Sequence, residues 1–317
     1  MKTTEKLKNN LMQPSVQKPV FIILGILCLT PVVSAPVALV LGFLMTLIVG
    51  NPYEETAQKL THTLLQVSVV GLGFGMDINS ALKAGKEGVV FTIISIFSVL
   101  ILGFLLTRLF KIDKIIGYLI SAGTAICGGS AIAAIAPIIK AKPNQISIGL
   151  GVVFTLNSVA LLVFPMIGNW LHLSQHDFGL WCAIAIHDTS SVVGAADKYG
   201  PEALQIATTV KLARALWIIP LSIFSVVLFK NKATKVKIPW FIGFFIVAIC
   251  LNTCIPFVQK LSPAIISISK AGLTLTLFLI GAGLSIKIIK NIGIKPLLVA
   301  VILWIFISCG ALLMVLK

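Results

Sequence analysis

Acidic residues are scarce in this chain. Ten Asp and Glu stand against 25 Lys and Arg in 317 residues, and charged residues of both signs make up 11%. Soluble domains carry roughly 25%, so a water-facing surface of this size could not be covered. The histidines, His62, His172, His176 and His187, are scattered and lack the spacing of a zinc site. No CxxC is present. Cys28, Cys127, Cys182, Cys250, Cys254 and Cys309 all fall in apolar segments, where a thiol acts as a small buried hydrophobe. A paired acid and base is missing as well. His187 and Asp188 are adjacent and cannot orient one another as a Ser-His-Asp triad requires. No enzyme activity, metal or cofactor is expected. The basic residues sit in loops and not on one folded face, which argues against nucleic-acid binding.

What the chain has is apolar length. Hydrophobic residues make up 58%, gathered into runs long enough to span a bilayer. The runs predict an all-α polytopic membrane protein of about eleven transmembrane segments: 20–34, 36–50, 60–76, 88–109, 115–139, 146–169, 178–197, 204–229, 238–256, 262–284 and 296–316. Residues 1–19 read as a polar, basic tail, and 20–317 as a single transmembrane domain. The first run lacks a small-residue cleavage site, so it is expected to be retained.

Loop charges orient this topology. With the N-terminus in the cytoplasm, inside loops hold about fifteen Lys and Arg and outside loops about seven, as the positive-inside rule demands. The inside set includes Lys230, Lys232, Lys235 and Lys237. An inner-membrane protein with a cytoplasmic N-terminus is therefore expected.

Two segments are irregular, and each is expected to be broken or re-entrant. GTAICGGSAIAAIAP (123–137) clusters small residues, and AIHDTSSVVGAAD (185–197) puts polar groups where lipid would be. An internal repeat is also legible. GFGMDINSALKAG (73–85) aligns without a gap to GAGLSIKIIKNIG (281–293), and QKLT (58–61) resembles QKLS (259–262) once a gap is allowed. An odd number of crossings separates the copies, so they point in opposite directions, a signature of secondary transporters.

The candidate binding residues lie in and beside the irregular segments. Glycines in CGGS (Cys127, Gly128, Gly129, Ser130) free the backbone to aim amides at an anion or carbonyls at a cation. Thr124 adds a hydroxyl. His187, Asp188, Thr189, Ser190 and Ser191 stack polar groups that no helix can hide from lipid unless they line a cavity or meet one another. Lys211 and Arg214 share a helix face that would favour an anion, although Lys211 could also snorkel to the outer interface. Asp188 could pair with either cation or carry a proton. Lys270, Asp77, Asn157 and Ser158 are further polar residues in or at the ends of apolar segments.

Four of these stretches, GLGFGMD (71–77), GTAICGGSAIAAIAP (123–137), HDTSSVVGAA (187–196) and VKLARALWIIP (210–220), resemble the YeiH-type sulfate-exporter family in order and over most of the chain. The resemblance implies a multi-pass fold related to cation/proton antiporters and bile-acid symporters, with inverted repeats and broken helices. The expected function is secondary transport of a small anion, sulfate or a related sulfur-containing anion, by alternating access. H+ or Na+ would be the coupling ion, and a homodimer is compatible with it. The alternative is a cation/proton antiporter that uses Asp188 as ion carrier.

Overall fold

The computed structural model describes residues 14–76, 78–229, 240–283 and 293–316. Asp77, the basic loop 230–237 and most of the second repeat copy (281–293) lie outside the described residues. Among the described residues the fold is α-helical, with fourteen α-helices. In chain order they are α1 Pro14–Leu27, α2 Ala35–Ile48, α3 Glu54–Leu72, α4 Ile78–Leu109, α5 Lys114–Ala125, α6 Gly129–Ile135 and α7 Pro143–Trp170. After these come α8 Gln175–Ala185, α9 Thr189–Tyr199, α10 Pro201–Ala215, α11 Ile218–Leu228, α12 Trp240–Cys254, α13 Pro256–Gly283 and α14 Ile294–Val315.

Among the described residues five stretches are long and apolar enough to cross a membrane: Val90–Leu109 in α4, α7, Pro201–Leu228 across α10 and α11, α13 and α14. Three shorter apolar helices, Val16–Leu27, Ala35–Ile48 and Trp240–Cys254, accompany them. Their outward faces are greasy. Ile101 is 61% exposed, Ile268 73% and Leu313 66%, an exterior that lipid solvates and water does not. Cys254 and Cys309 are exposed too, against the expectation that all six thiols are buried. On an apolar outer face a thiol needs no protein cover.

Local sequence explains where the helices begin. The Asp113 carboxylate accepts the Ile115 and Ile116 amides at 2.9 and 3.0 Å and so caps α5. The Ser174 hydroxyl caps α8 by accepting the Asp177 amide at 3.1 Å. Proline opens α7 and α10, where its missing N–H goes unused. The structure differs from the sequence expectation at four helix starts, with α1 and α3 each beginning six residues before the expected 20 and 60. α4 starts ten residues before the apolar run at 88, and α13 starts six before 262. Helical hydrogen bonding runs on through polar turns that hydropathy alone assigns to loops. A further interruption, at Leu216–Trp217 between α10 and α11, falls four residues before Pro220, which has no N–H for the Leu216 carbonyl and crowds it.

Contacts divide the chain into two compact units. The first holds α1, α2, α3, most of α12, and α13. Here α13 packs closely on both α2 and α3. A Cβ on Gly42 would fall on the Phe278 carbonyl, and one on Gly281 would fall on the Leu39 carbonyl, so the backbones touch. Small residues allow such approach within lipid. Gly281→Val is therefore expected to destabilise the protein by more than about 3 kcal/mol, since the clash is with backbone and cannot be relieved by a rotamer. Thermal unfolding of the purified variant in detergent reads this.

The α3–α13 contact is reciprocal. A Cβ on Gly71 would fall on the Ser269 hydroxyl, and one on Gly272 would fall on the Ser68 hydroxyl. The QKLT/QKLS register pairs Ser68 with Ser269 and Gly71 with Gly272, each 201 residues apart. Each member thus touches the counterpart of its partner, as in a local two-fold contact. The short sequence match extends, ungapped, into a packing interface.

The second unit holds α4 to α11 and α14. α10 packs against α8, α9 and α4, while α14 covers α8, α4 and α5. Both irregular sequence segments lie in this unit, and both are interrupted: α5 and α6 by Ile126–Gly128, α8 and α9 by Ile186–Asp188.

Candidate functional site: two helix breaks that meet

The first break turns on Gly128, whose φ is +62°. An L side chain there would be strained. It would also be crowded: an added Cβ would sit 3.1 Å from Val153 Cγ1 and 3.4 Å from both the Asp188 amide nitrogen and the His187 carbonyl carbon. The two interruptions therefore pass close to one another inside the second unit.

A helix that stops inside a protein leaves carbonyls without partners at its C-terminal end, with partial negative charge. α10 supplies the remedy for both breaks. Lys211 Nζ donates to the Ile186 carbonyl at 2.6 Å and to the Ala183 carbonyl at 3.2 Å, closing the end of α8. Arg214 donates to the Ala125 carbonyl at 2.5 Å through Nη2 and to the Ile126 carbonyl at 3.1 Å through Nε, closing the end of α5. Arg214 Nη1 reaches Ser95 Oγ of α4 at 2.9 Å. One turn of one helix thus neutralises two carbonyl ends. Lys211 and Arg214 have no exposed surface, so neither snorkels to an interface.

The N-terminal side of the second break is organised by Asp188. Its carboxylate caps α9, accepting the Ser190 amide at 3.2 Å and the Ser190 hydroxyl. Asn157 of α7 reaches across to hold the break itself. Its Oδ1 accepts the His187 amide at 3.1 Å and the Asp188 amide at 3.2 Å. The ion pair found among the described residues joins His176 and Asp177, and no such pair links Asp188 to Lys211 or Arg214.

Several buried polar atoms at this crossing have no partner: Thr124 Oγ1, Asn157 Nδ2 and both ring nitrogens of His187. Their residues are 1%, 2% and 0% exposed. Buried polar groups are normally satisfied, so these open groups, on the end of α5, the α8–α9 break and α7, are candidates for contact with a polar ligand.

Among the other sequence candidates, Cys127, Thr189, Ser190 and Ser191 are buried at the crossing. Gly129 is half-buried against Phe154, and Ser130 is exposed. Ser158 turns back on its own helix, donating to the Phe154 carbonyl at 2.9 Å. Lys270 lies half-buried on α13 in the other unit. Ser95 has a place here that sequence reasoning missed. It is one serine in an apolar helix, and nothing in its pattern sets it apart from Ser98.

The family model described as conserved hypothetical protein 698 matches residues 20–300. The chain belongs to this family. Within it, a UPF0324 membrane protein of Bacteroides thetaiotaomicron is 52% identical, over 88% of this chain and 86% of its own length. One from Shewanella oneidensis is 50% identical over 92% and 93%, and one from Porphyromonas gingivalis 49% over 89% and 87%. No solved structure matches. The relatives' names and the apolar helices agree that this conserved hypothetical protein 698 member is a multi-pass membrane protein.

Proposed function

We propose that this protein is a secondary transporter for a small anion, sulfate or a related sulfur-containing oxyanion, bound where the two helix breaks meet. The observation that carries the reading is the set of unpartnered buried polar groups on Thr124, Asn157 and His187, in a region with two buried cations and one buried carboxylate. Charge balance there favours a negative guest. The cations act on it chiefly as a field, because two of the Lys211 donors and three of the Arg214 donors are already engaged within the protein. Direct contacts would come from neutral donors.

The rest of the reading follows the membrane pattern. Eleven segments cross or enter the inner membrane, with the N-terminus in the cytoplasm and the lysine-rich loops on that side. The reciprocal Ser68/Gly71 and Ser269/Gly272 contacts support an inverted-repeat plan like that of the cation/proton antiporters and bile-acid symporters. Transport would proceed by alternating access.

A cation/proton antiporter using Asp188 is the competing reading, and the burial of that carboxylate favours it. Against it stand the cationic excess and the commitment of Asp188 to capping α9.

The test is anion flux into liposomes carrying the purified protein, with Thr124→Val beside wild type. Wild type is expected to move labelled sulfate, sulfite or thiosulfate under a pH or Na+ gradient. Thr124→Val loses a hydroxyl that has no internal partner. It is expected to fold at least as stably, because an unsatisfied buried polar group costs about 1–3 kcal/mol, and yet to bind the anion roughly tenfold more weakly, as about 1.4 kcal/mol per lost hydrogen bond requires. No flux of any labelled anion under any gradient overturns the reading.

A further inference from the structure

Asn157 does two things with one side chain, and only one of them is satisfied internally. Its Oδ1 bridges two consecutive amides, His187 at 3.1 Å and Asp188 at 3.2 Å. These N–H groups follow the end of α8 and precede the start of α9, so Asn157 fastens the α8–α9 interruption to α7. Its Nδ2 is buried and has no partner. An amide group is rigid and planar, so fixing Oδ1 also fixes the direction of the two Nδ2 hydrogens. With Oδ1 committed to two donors, an amide flip would set Nδ2 against two N–H groups. The assignment of oxygen and nitrogen is therefore dictated by the backbone.

We propose that Asn157 is a specificity-determining residue of the crossing: its Oδ1 latches the His187–Asp188 backbone, and its Nδ2 is a fixed donor to the bound anion. This rests on the anion-transport reading above. A ligand on Nδ2 polarises the amide and strengthens the acceptor on its other side. Occupancy of the site thereby tightens the hold of α7 on the break. An anion that cannot reach Nδ2 binds without that effect, so the residue separates anions that seat at the crossing from those attracted only by its charge. Ser158, one position along, bonds its own helix at 2.9 Å and has no such double role.

The experiment compares wild type, Asn157→Asp and Asn157→Leu by ligand-induced shift of the melting temperature at pH 8, with sulfate, sulfite, thiosulfate and taurine as probes. Asn157→Asp keeps an acceptor for both amides and loses the donor. Asn157→Leu loses both. The expected result is a split. The Asp variant melts near wild type without anion but needs about a hundredfold more anion for the same shift, tenfold from the added charge and tenfold from the lost hydrogen bond. The Leu variant melts lower and also loses the shift. An Asp variant that needs no more than the roughly tenfold extra anion its charge accounts for overturns this inference and leaves the transport reading standing. A wild-type protein that responds to none of the probes overturns both. Should the Asp variant not fold, hydrogen exchange of the wild-type His187 and Asp188 amides reads the same latch. Slower exchange on adding anion is expected, and unchanged exchange overturns the proposal.

Discussion

Replacing Arg214 by Met is expected to lower the stability of the protein by about 3–5 kcal/mol, because two buried carbonyls lose their partners at about 1–3 kcal/mol each. The carbonyls are those of Ala125 and Ile126, and Ser95 loses its donor as well. Arg214 has no exposed surface, so the carbonyls it leaves are buried. The α5 end would then carry uncompensated negative charge against the second break. Arg214→Lys keeps a charge but not the fork that spans two carbonyls, so an intermediate loss is expected. Melting of the purified variants in detergent reads the series. A Met variant that melts like wild type would show that the α5 end needs no cation, and the role given to α10 would fall.

Asp188→Asn is the second substitution with a large expected effect, and it separates the two transport readings. Asparagine still offers an oxygen to the Ser190 amide, now accepted by the Asp188 carboxylate at 3.2 Å, so α9 stays capped. What changes is charge. A carboxylate within about 8 Å of a bound anion opposes it by about 1–2 kcal/mol at the effective dielectric of protein sites. The neutral variant should therefore bind the anion roughly tenfold more tightly. If Asp188 were instead the ion carrier of an antiporter, exchange would be abolished and anion affinity would not rise. Binding and flux measured on one preparation give opposite answers for the two cases.

The fold was legible where hydropathy speaks. The apolar runs at 36–50, 146–169 and 296–316 match α2, α7 and α14 to within a few residues, since length and composition are what a membrane selects. The two interruptions were legible from CGGS and HDTSS for the same reason: lipid does not tolerate such polarity and flexibility on an intact helix. The early starts of α4 and α13 were not, because nothing in a polar helical turn distinguishes it from a loop.

At the site, sequence gave the residue types but not their partners. Lys211 and Arg214 read as anion ligands from their charge and spacing, whereas the structure turns both onto helix carbonyls. Which carbonyls are orphaned depends on where α5 and α8 stop. Asn157 read as a polar residue within an apolar segment. Its double hydrogen bond to residues thirty positions away is a tertiary fact.

The most direct measurement is anomalous scattering from crystals of the protein equilibrated with selenate. Neutral donors on Thr124, Asn157 and His187 are held to face an anion that is drawn in by charges already spent on the backbone. A selenium peak within hydrogen-bonding reach of those three side chains, with oxygens about 3 Å from them, is the expected result. A crossing closed by protein atoms, with selenate found only on the outer surface, would contradict it.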